Sequence, residues 1–408
     1  MSLIHLSHLH ATGRTGNYPV AWRGDRLVLW QEYHDRVAAL AATLASRPQG
    51  RWLLVCDNSL DFVTGLFALW HADKVAVIPP SLRPGTLTEL AAVAEARFDA
   101  TTITSLPVAE DQALMPPLDP AATRLELYTS GSTGSAKAVS KSLAQLDDEV
   151  MVLEAAWGKR AATTLSTVPH HHIYGLLFHL LWPLAGGRAF DSESCATPAQ
   201  LLTRLEKIGP GVVISSPSQL TRMPELIDLG LLRGKATSLF SSGGPLPGTA
   251  AAQFREALGE SPIEVYGSTE TGGIAWRQQQ ENDDNWTPQP GVVLQLDEDG
   301  AVTLTSPFLP DATQVRTGDA AQWLPDGRFR LLGRTDRIAK IEEKRLSLPE
   351  MEARLTLHPW VREVAMVALS GRRQTIGAVV VLSPGGQLRL AEDGRAGLSQ
   401  QLRQHLAH

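Results

Sequence analysis

Leu125-Glu-Leu-Tyr-Thr-Ser-Gly-Ser-Thr-Gly-Ser-Ala-Lys-Ala138 decides the reading of this chain. The apolar run from Leu125 to Tyr128 has strand character and gives way at once to a loop of Thr129, Ser130, Gly131, Ser132, Thr133 and Gly134. Two glycines let the backbone fold back on itself, so that several N–H groups can face one anion. The hydroxyls of Thr129, Ser130, Ser132 and Thr133 and the cation of Lys137 suit phosphate as well. An ordinary Ser/Gly loop is the competing interpretation. The nucleotide P-loop, Gly-x4-Gly-Lys-Ser/Thr, fails here. With Gly131 as its first glycine, Ala136 occupies the place of the second and Ala138 replaces the hydroxyl that would hold Mg²⁺.

Working outward, 408 residues exceed one ordinary core and imply two or three subdomains. Apolar residues at 43% and charged residues at 20% fit a globular enzyme. A net charge of −6 argues against a nucleic-acid partner, which would meet a basic face. Cys56 and Cys195 are the only cysteines, which excludes a disulfide framework and suits a reducing compartment. The N-terminus lacks the basic start and long apolar core of a secretory signal. No apolar run is long enough for a membrane span, and a cytoplasmic location is expected.

The first part of the chain alternates strand-like and helical patterns. Arg26–Trp30, Trp52–Cys56 and Val75–Ile78 read as extended, while Gln31–Ala45 and Ser59–Trp70 carry helical periodicity. The rhythm continues with a strand expected at Ala100–Thr104, a helix at Gln145–Trp157 and a strand at Gly211–Ser215. Such βαβ alternation predicts an α/β fold with parallel sheets covered by helices. Pro107–Pro120 reads as the link into the Leu125 strand. Two hairpins with turns at Asp299-Gly300 and Asp326-Gly327 predict an antiparallel subdomain.

Three later blocks share a family order with the first. They are Tyr266-Gly-Ser-Thr-Glu270 with Gly272 just beyond, Arg316-Thr-Gly-Asp319, and the run from Gly333 to Glu352. The last fits Gly-Arg-x-Asp-x-x-x-Lys-x-x-Gly-x-Arg-x-x-x-x-Glu-x-Glu at every fixed place except Glu343. With these blocks the chain resembles the adenylate-forming superfamily of acyl-CoA synthetases, peptide-synthetase adenylation domains and luciferases. That resemblance implies a large N-terminal domain, residues 1–335, with parallel-sheet α/β subdomains and a small β-barrel-like subdomain. A small α+β C-terminal domain, residues 336–408, is expected to follow a hinge at Asp336.

The implied chemistry joins a carboxylate to the α-phosphate of ATP with loss of pyrophosphate, so Mg²⁺ and positive donors must cancel the repulsion of two anions. Thr129 to Gly134 with Lys137 would embrace the leaving phosphates. Tyr266 would stack beside adenine, with Gly267 and Ser268 alongside, Thr269 would donate to the α-phosphate and Glu270 would hold Mg²⁺. On spacing alone, Glu270 could equally be a helix-start carboxylate and Asp319 a turn cap. Within the resemblance, Asp319 and Arg334 contact ribose, and Gly243-Gly244 lets ligand lie against backbone. Pro169-His-His-His-Ile-Tyr-Gly175 resembles the family's Pro-x-x-His-x-x-Gly block, which places His172, Tyr174, Gly175, Gly244 and Gly272 at the acyl pocket. A shared metal at His170, His171 and His172 conflicts with adjacent side chains pointing apart.

No acid lies between Ser166 and Leu177, where amino-acid-activating relatives keep an aspartate, so an aryl or aliphatic acid without an α-amino group is expected. His172, Tyr174 and Trp276 suggest a compact pocket. Glu343 replaces a family glycine where a pantetheine arm enters, which either obstructs CoA or marks a carrier-protein acceptor; an exposed charge without function is the alternative. After Glu352 no Gly-Lys pair supplies the family's late catalytic lysine, which points to a chain cut short or a lysine lost.

Overall fold

The computed structural model describes residues 3–105, 115–130, 136–160, 162–281, 283–298, 300–310, 313–341, 344–369 and 375–406. Gly131, Ser132, Thr133, Gly134 and Glu343 lie outside the described residues, as do most of the Pro107–Pro120 link and Asp299. Two compact units divide the chain. Met1–Asp284, Pro288–Val292 and Ser306–Thr313 form the first, and Asn285–Thr287, Val293–Thr305 and Gln314–His408 form the second. The expected boundary at Asp336 concerns a hinge and stays a proposal about motion.

Strands of the first unit are β1 (Pro19–Arg23), β2 (Arg26–Leu29), β3 (Arg51–Val55), β4 (Val75–Ile78), β5 (Ala96–Asp99), β6 (Arg124–Ser130) and β7 (Ala136–Ser142). They continue as β8 (Thr163–Ser166), β9 (Phe190–Ser194), β10 (Gly211–Ser215), β11 (Ala236–Ser242), β12 (Ile263–Ser268) and β13 (Gly272–Gln278). One sheet has the order β5-β3-β4-β6-β7, parallel except for edge strand β7. The other runs β13-β12-β11-β10-β8-β9-β1-β2, parallel through its centre. Helices cover both, as the alternating pattern predicts.

Helix Ser59–His71 buries an almost continuous apolar surface that includes Phe62, Val63, Leu66, Phe67 and Leu69, so it lies wholly inside the core. Its start is set by Asn58, whose side chain accepts from the Leu60 and Asp61 amides. Directly after β7, Ser142 and Gln145 form a reciprocal capping box that opens helix Leu143–Trp157. Residues 173–186 form a helical run with a wide π turn at Leu176–Leu181.

One expectation fails. Ala100–Ser105 is helical, and the strand is β5 just before it, paired in parallel with β3. The β-branched run Thr101-Thr-Ile103 reads as extended, but Asp99 Oδ1 accepts from the amides of Thr101 and Thr102 and turns the chain into a helix.

The second unit holds a four-stranded antiparallel sheet made of Val293–Leu296, Ala301–Thr305, Val315–Trp323 and Phe329–Arg334. Both expected hairpins are present in it, with Trp323 opposite Phe329. A short hairpin, Ile338–Ile341 with Lys344–Ser347, precedes helix Leu348–Thr356, the hairpin Val361–Leu369 with Thr375–Leu382, and the kinked helical segment Pro384–Leu406. Leu348, Leu355, Val361, Met366, Leu398 and Leu402 form its small separate core.

Candidate active site

β6 and β7 pair antiparallel, with Thr129 opposite Lys137 and Ser130 opposite Ala136, so the strands converge at the hydroxyl- and glycine-rich segment. Thr129 Oγ1 donates to the Lys137 carbonyl at 3.4 Å. The Lys137 side chain is 69% exposed, and its Nζ stands 3.9 Å from Glu270 Oε1, itself on a side chain 43% exposed. Two residues far apart in sequence thus present opposite charges to solvent at one place.

Glu270 sits on a tight turn between β12 and β13. Ser268 and Thr271 exchange hydrogen bonds across it: the Ser268 amide donates to Thr271 Oγ1 at 3.1 Å, and the Thr271 amide donates to Ser268 Oγ at 3.2 Å. Gly272 closes the turn with φ +69°, a conformation that side chains with a Cβ rarely adopt, and a Cβ there would lie 2.5 Å from Glu149 Oε1.

Beneath the turn lies Lys141, only 1% exposed. Its Nζ donates to the Glu270 carbonyl at 3.0 Å and to the Phe308 carbonyl at 2.9 Å. Gln145 Nε2 donates to that same Phe308 carbonyl at 3.1 Å. Burial lowers the Lys141 pKa, opposed by the nearby carboxylates of Glu149 and Glu270. Glu149 is buried as well; desolvation raises its pKa, while Lys141 and the Gly273 amide pull it down. That amide donates to Glu149 Oε2 at 3.2 Å.

A cavity of about 440 Å³ opens beside this scaffold. His172, Tyr174, Gly175, Gly243, Gly267, Ser268, Thr269 and Gly272, all singled out in the sequence, line it. Val152, Leu153, Ile173, Leu177 and Phe178 make its apolar wall. Gly175 is required by space, because a Cβ would collide with the Pro169 carbonyl oxygen. Gly244 stands next to Pro217, and Tyr266 pairs with Ala275 in the β12–β13 ladder. Trp276 packs edge-on against Trp157, with ring centres 5.9 Å apart, rather than lining the cavity.

The three histidines follow a loop after β8 and part company. Both ring nitrogens of His170 are engaged, Nδ1 with Ser59 Oγ and Nε2 with the Cys56 carbonyl, each at 2.9 Å. Burial lowers its pKa to about 4. His171, lowered to about 3 by burial, faces the Pro80 backbone. His172 alone reaches the cavity, at the N-terminus of the 173–186 helical run, with its pKa lowered by desolvation.

Within the second unit, Asp319 lies opposite Arg334 in the antiparallel ladder, and Arg334 Nη1 stands 4.0 Å from Asp319 Oδ1. Thr317 Oγ1 accepts the Asp319 amide at 3.2 Å. Asp336 is the middle residue of a single 3-10 turn, Thr335–Arg337. There Arg337 Nη2 donates to Glu352 Oε1 at 2.6 Å, and the Met366 amide donates to the same oxygen at 2.6 Å.

Sequence reasoning missed Lys141, Glu149 and Gln289. Glu149 carried a signal: with Leu146, Val150 and Leu153 it falls on one helical face, all four of them buried. The neighbouring Asp147 is buried too and accepts from the Leu6 amide and Ser7 Oγ.

The sequence profile of the family described as AMP-binding enzyme matches residues 83–298. A 4-coumarate–CoA ligase from Cereibacter sphaeroides is 31% identical over 268 residues, which cover 64% of this chain and 60% of that protein. A malonate–CoA ligase from Arabidopsis thaliana is 25% identical over 325 residues, 68% of this chain and 53% of that protein. The chain therefore spans between half and two thirds of the length of these curated relatives. Among solved structures, ATP-bound MatB from Rhodopseudomonas palustris superposes with a TM-score of 0.77 at 18% identity, covering 97% of this chain and 92% of that one. No helix among the described residues is long and apolar enough to cross a membrane.

Proposed function

We propose that this chain, which belongs to the AMP-binding, adenylate-forming enzymes, activates a carboxylic acid lacking an α-amino group, aryl or aliphatic. A carboxylate oxygen bonds to the α-phosphorus of ATP, the bond to the bridging oxygen breaks, and pyrophosphate leaves. The thiol of CoA, or of phosphopantetheine on an acyl carrier protein, then attacks the acyl carbon. It loses its proton and releases AMP as the thioester forms.

The observation that carries this reading is the meeting of Lys137 and Glu270 at 3.9 Å, one residue from Thr269 on the cavity wall that also holds His172. Lys137, with the segment Thr129–Gly134, takes the leaving phosphates. Thr269 donates to the α-phosphate, and Tyr266 flanks adenine. His172 borders the reacting carboxylate, and its lowered pKa keeps it neutral at pH 7, so it does not tie up the acid as an ion pair. Asp319 and Arg334 serve the ribose, and Asp336 is the hinge between the half-reactions. The exposed Glu270 carboxylate is a hard oxygen donor suited to Mg²⁺, which would supply charge neutralisation between the approaching anions.

Pyrophosphate release from a panel of aryl, aliphatic and amino acids tests the proposal. Activity with aryl or aliphatic acids and none with amino acids is expected; exchange with amino acids only would overturn it. Glu343, standing where the family pattern has glycine, favours a second reading in which acyl-AMP passes to an acceptor other than CoA. Acyl-AMP accumulation that CoA fails to relieve would establish that alternative. Tight ATP binding without exchange would instead mark a binding module.

A further inference from the structure

Two acceptors lining the cavity have no donors among the described residues. Glu149 is 5% exposed and Gln289 is 3% exposed, and both line the cavity. Glu149 Oε1 and Gln289 Oε1 are buried, and neither has a hydrogen-bond partner among the described residues. They flank Gly273: a Cβ built there would lie 3.9 Å from Glu149 Oε2 and 3.9 Å from Gln289 Cγ. The Glu149 side chain is anchored at its other oxygen, where Oε2 takes the Gly273 amide at 3.2 Å, and the backbone of Gln289 is fixed by its main-chain N–H, which donates to the Ile274 carbonyl at 2.9 Å. Buried oxygens without donors carry a desolvation cost that a ligand donor relieves.

We propose that Glu149 and Gln289 form a specificity subsite that accepts a hydrogen bond from a hydroxyl group carried on the tail of the acid. The inference rests on the reading of this cavity as the acid pocket. It goes further by assigning the substrate class, a hydroxylated acid. An acid without the hydroxyl leaves both oxygens unpaired, and such a site discriminates by the cost of that loss rather than by shape.

The test uses matched probes: benzoate against 3- and 4-hydroxybenzoate, and hexanoate against 6-hydroxyhexanoate. Acid binding is measured by calorimetry with the wild type, Glu149→Gln, Glu149→Met and Gln289→Met, and pyrophosphate release is measured in parallel. ATP binding by each variant reports whether the site has folded. At least a tenfold preference for one hydroxylated acid over its parent is expected in the wild type. That ratio should fall toward one in Gln289→Met and Glu149→Met and persist in part in Glu149→Gln, which keeps an acceptor oxygen. Should Glu149→Met fail to fold, Gln289→Met and Glu149→Gln decide. Equal affinities in the wild type, or a preference untouched by these changes, would overturn the subsite. A binding preference without pyrophosphate from any acid supports the subsite and sinks the proposed activity; pyrophosphate release without preference does the reverse.

Discussion

Strand β7 carries two lysines, and each has a glutamate for a neighbour. Around Lys137 and Glu270 the charges are exposed, loosely paired at 3.9 Å and open to a ligand. Around Lys141 and Glu149 they are buried and tied to backbone groups. The first region can exchange its partners for phosphate and metal at small cost, because water already solvates both groups. The second cannot, because a buried ammonium without its carbonyls would be an uncompensated charge. The exposed Glu270 stands on a turn whose own carbonyl is held from below by Lys141. The histidines repeat the division, with His170 locked by two hydrogen bonds and His172 left at the cavity.

The sharpest way to break this comparison is Glu270→Gln. It keeps the turn and removes a charge from the exposed region, so acyl-AMP formation should fall about 10²- to 10³-fold, with the denaturation midpoint unchanged. Pyrophosphate release beside an unfolding curve separates the two effects; a normal rate would remove Glu270 from its assigned role.

Lys141→Met attacks the buried region instead. It strips the donor from the Glu270 and Phe308 carbonyls and leaves Glu149 without its counter-charge. A loss of about 3 kcal/mol in urea unfolding is expected. An equally stable variant would show that the buried pair is not the support of the turn.

Acid should weaken the scaffold next. His170 titrates at about 4 and His179 at about 3 in the folded protein, both lowered by burial from 6.5. The unfolded chain takes up these protons first, so stability is intact above pH 6.5 and falls as pH drops toward 4, by about 1.4 kcal/mol per pH unit for each histidine. Unfolding curves at pH 7.5 and 5 check the sign, and His170→Asn should flatten the dependence.

Smallest is the stability effect of Lys137→Ala, within about 0.5 kcal/mol because its pairing is solvated. Acyl-AMP formation should nevertheless drop in this variant. A stability loss as large as that of Lys141→Met would erase the distinction between the two lysines.

Local chemistry alone determined much of this protein. The βαβ rhythm, the hairpins of the second unit, the capped helix after β7 and the spacing of the motif blocks were all legible, because periodicity, caps and turn residues act between near neighbours. So was part of the cavity lining, from His172 to Gly272. Tertiary structure decided the rest. It made Ala100–Ser105 a helix under the Asp99 cap, gave the three histidines separate fates, turned Trp276 onto Trp157, and buried Lys141, Glu149 and Gln289 around one turn. Whether a polar side chain is solvated or enclosed depends on segments distant in sequence, such as Phe308 above Lys141. Desolvation, which sets the cost and use of such a group, therefore appears only when the chain has closed around it.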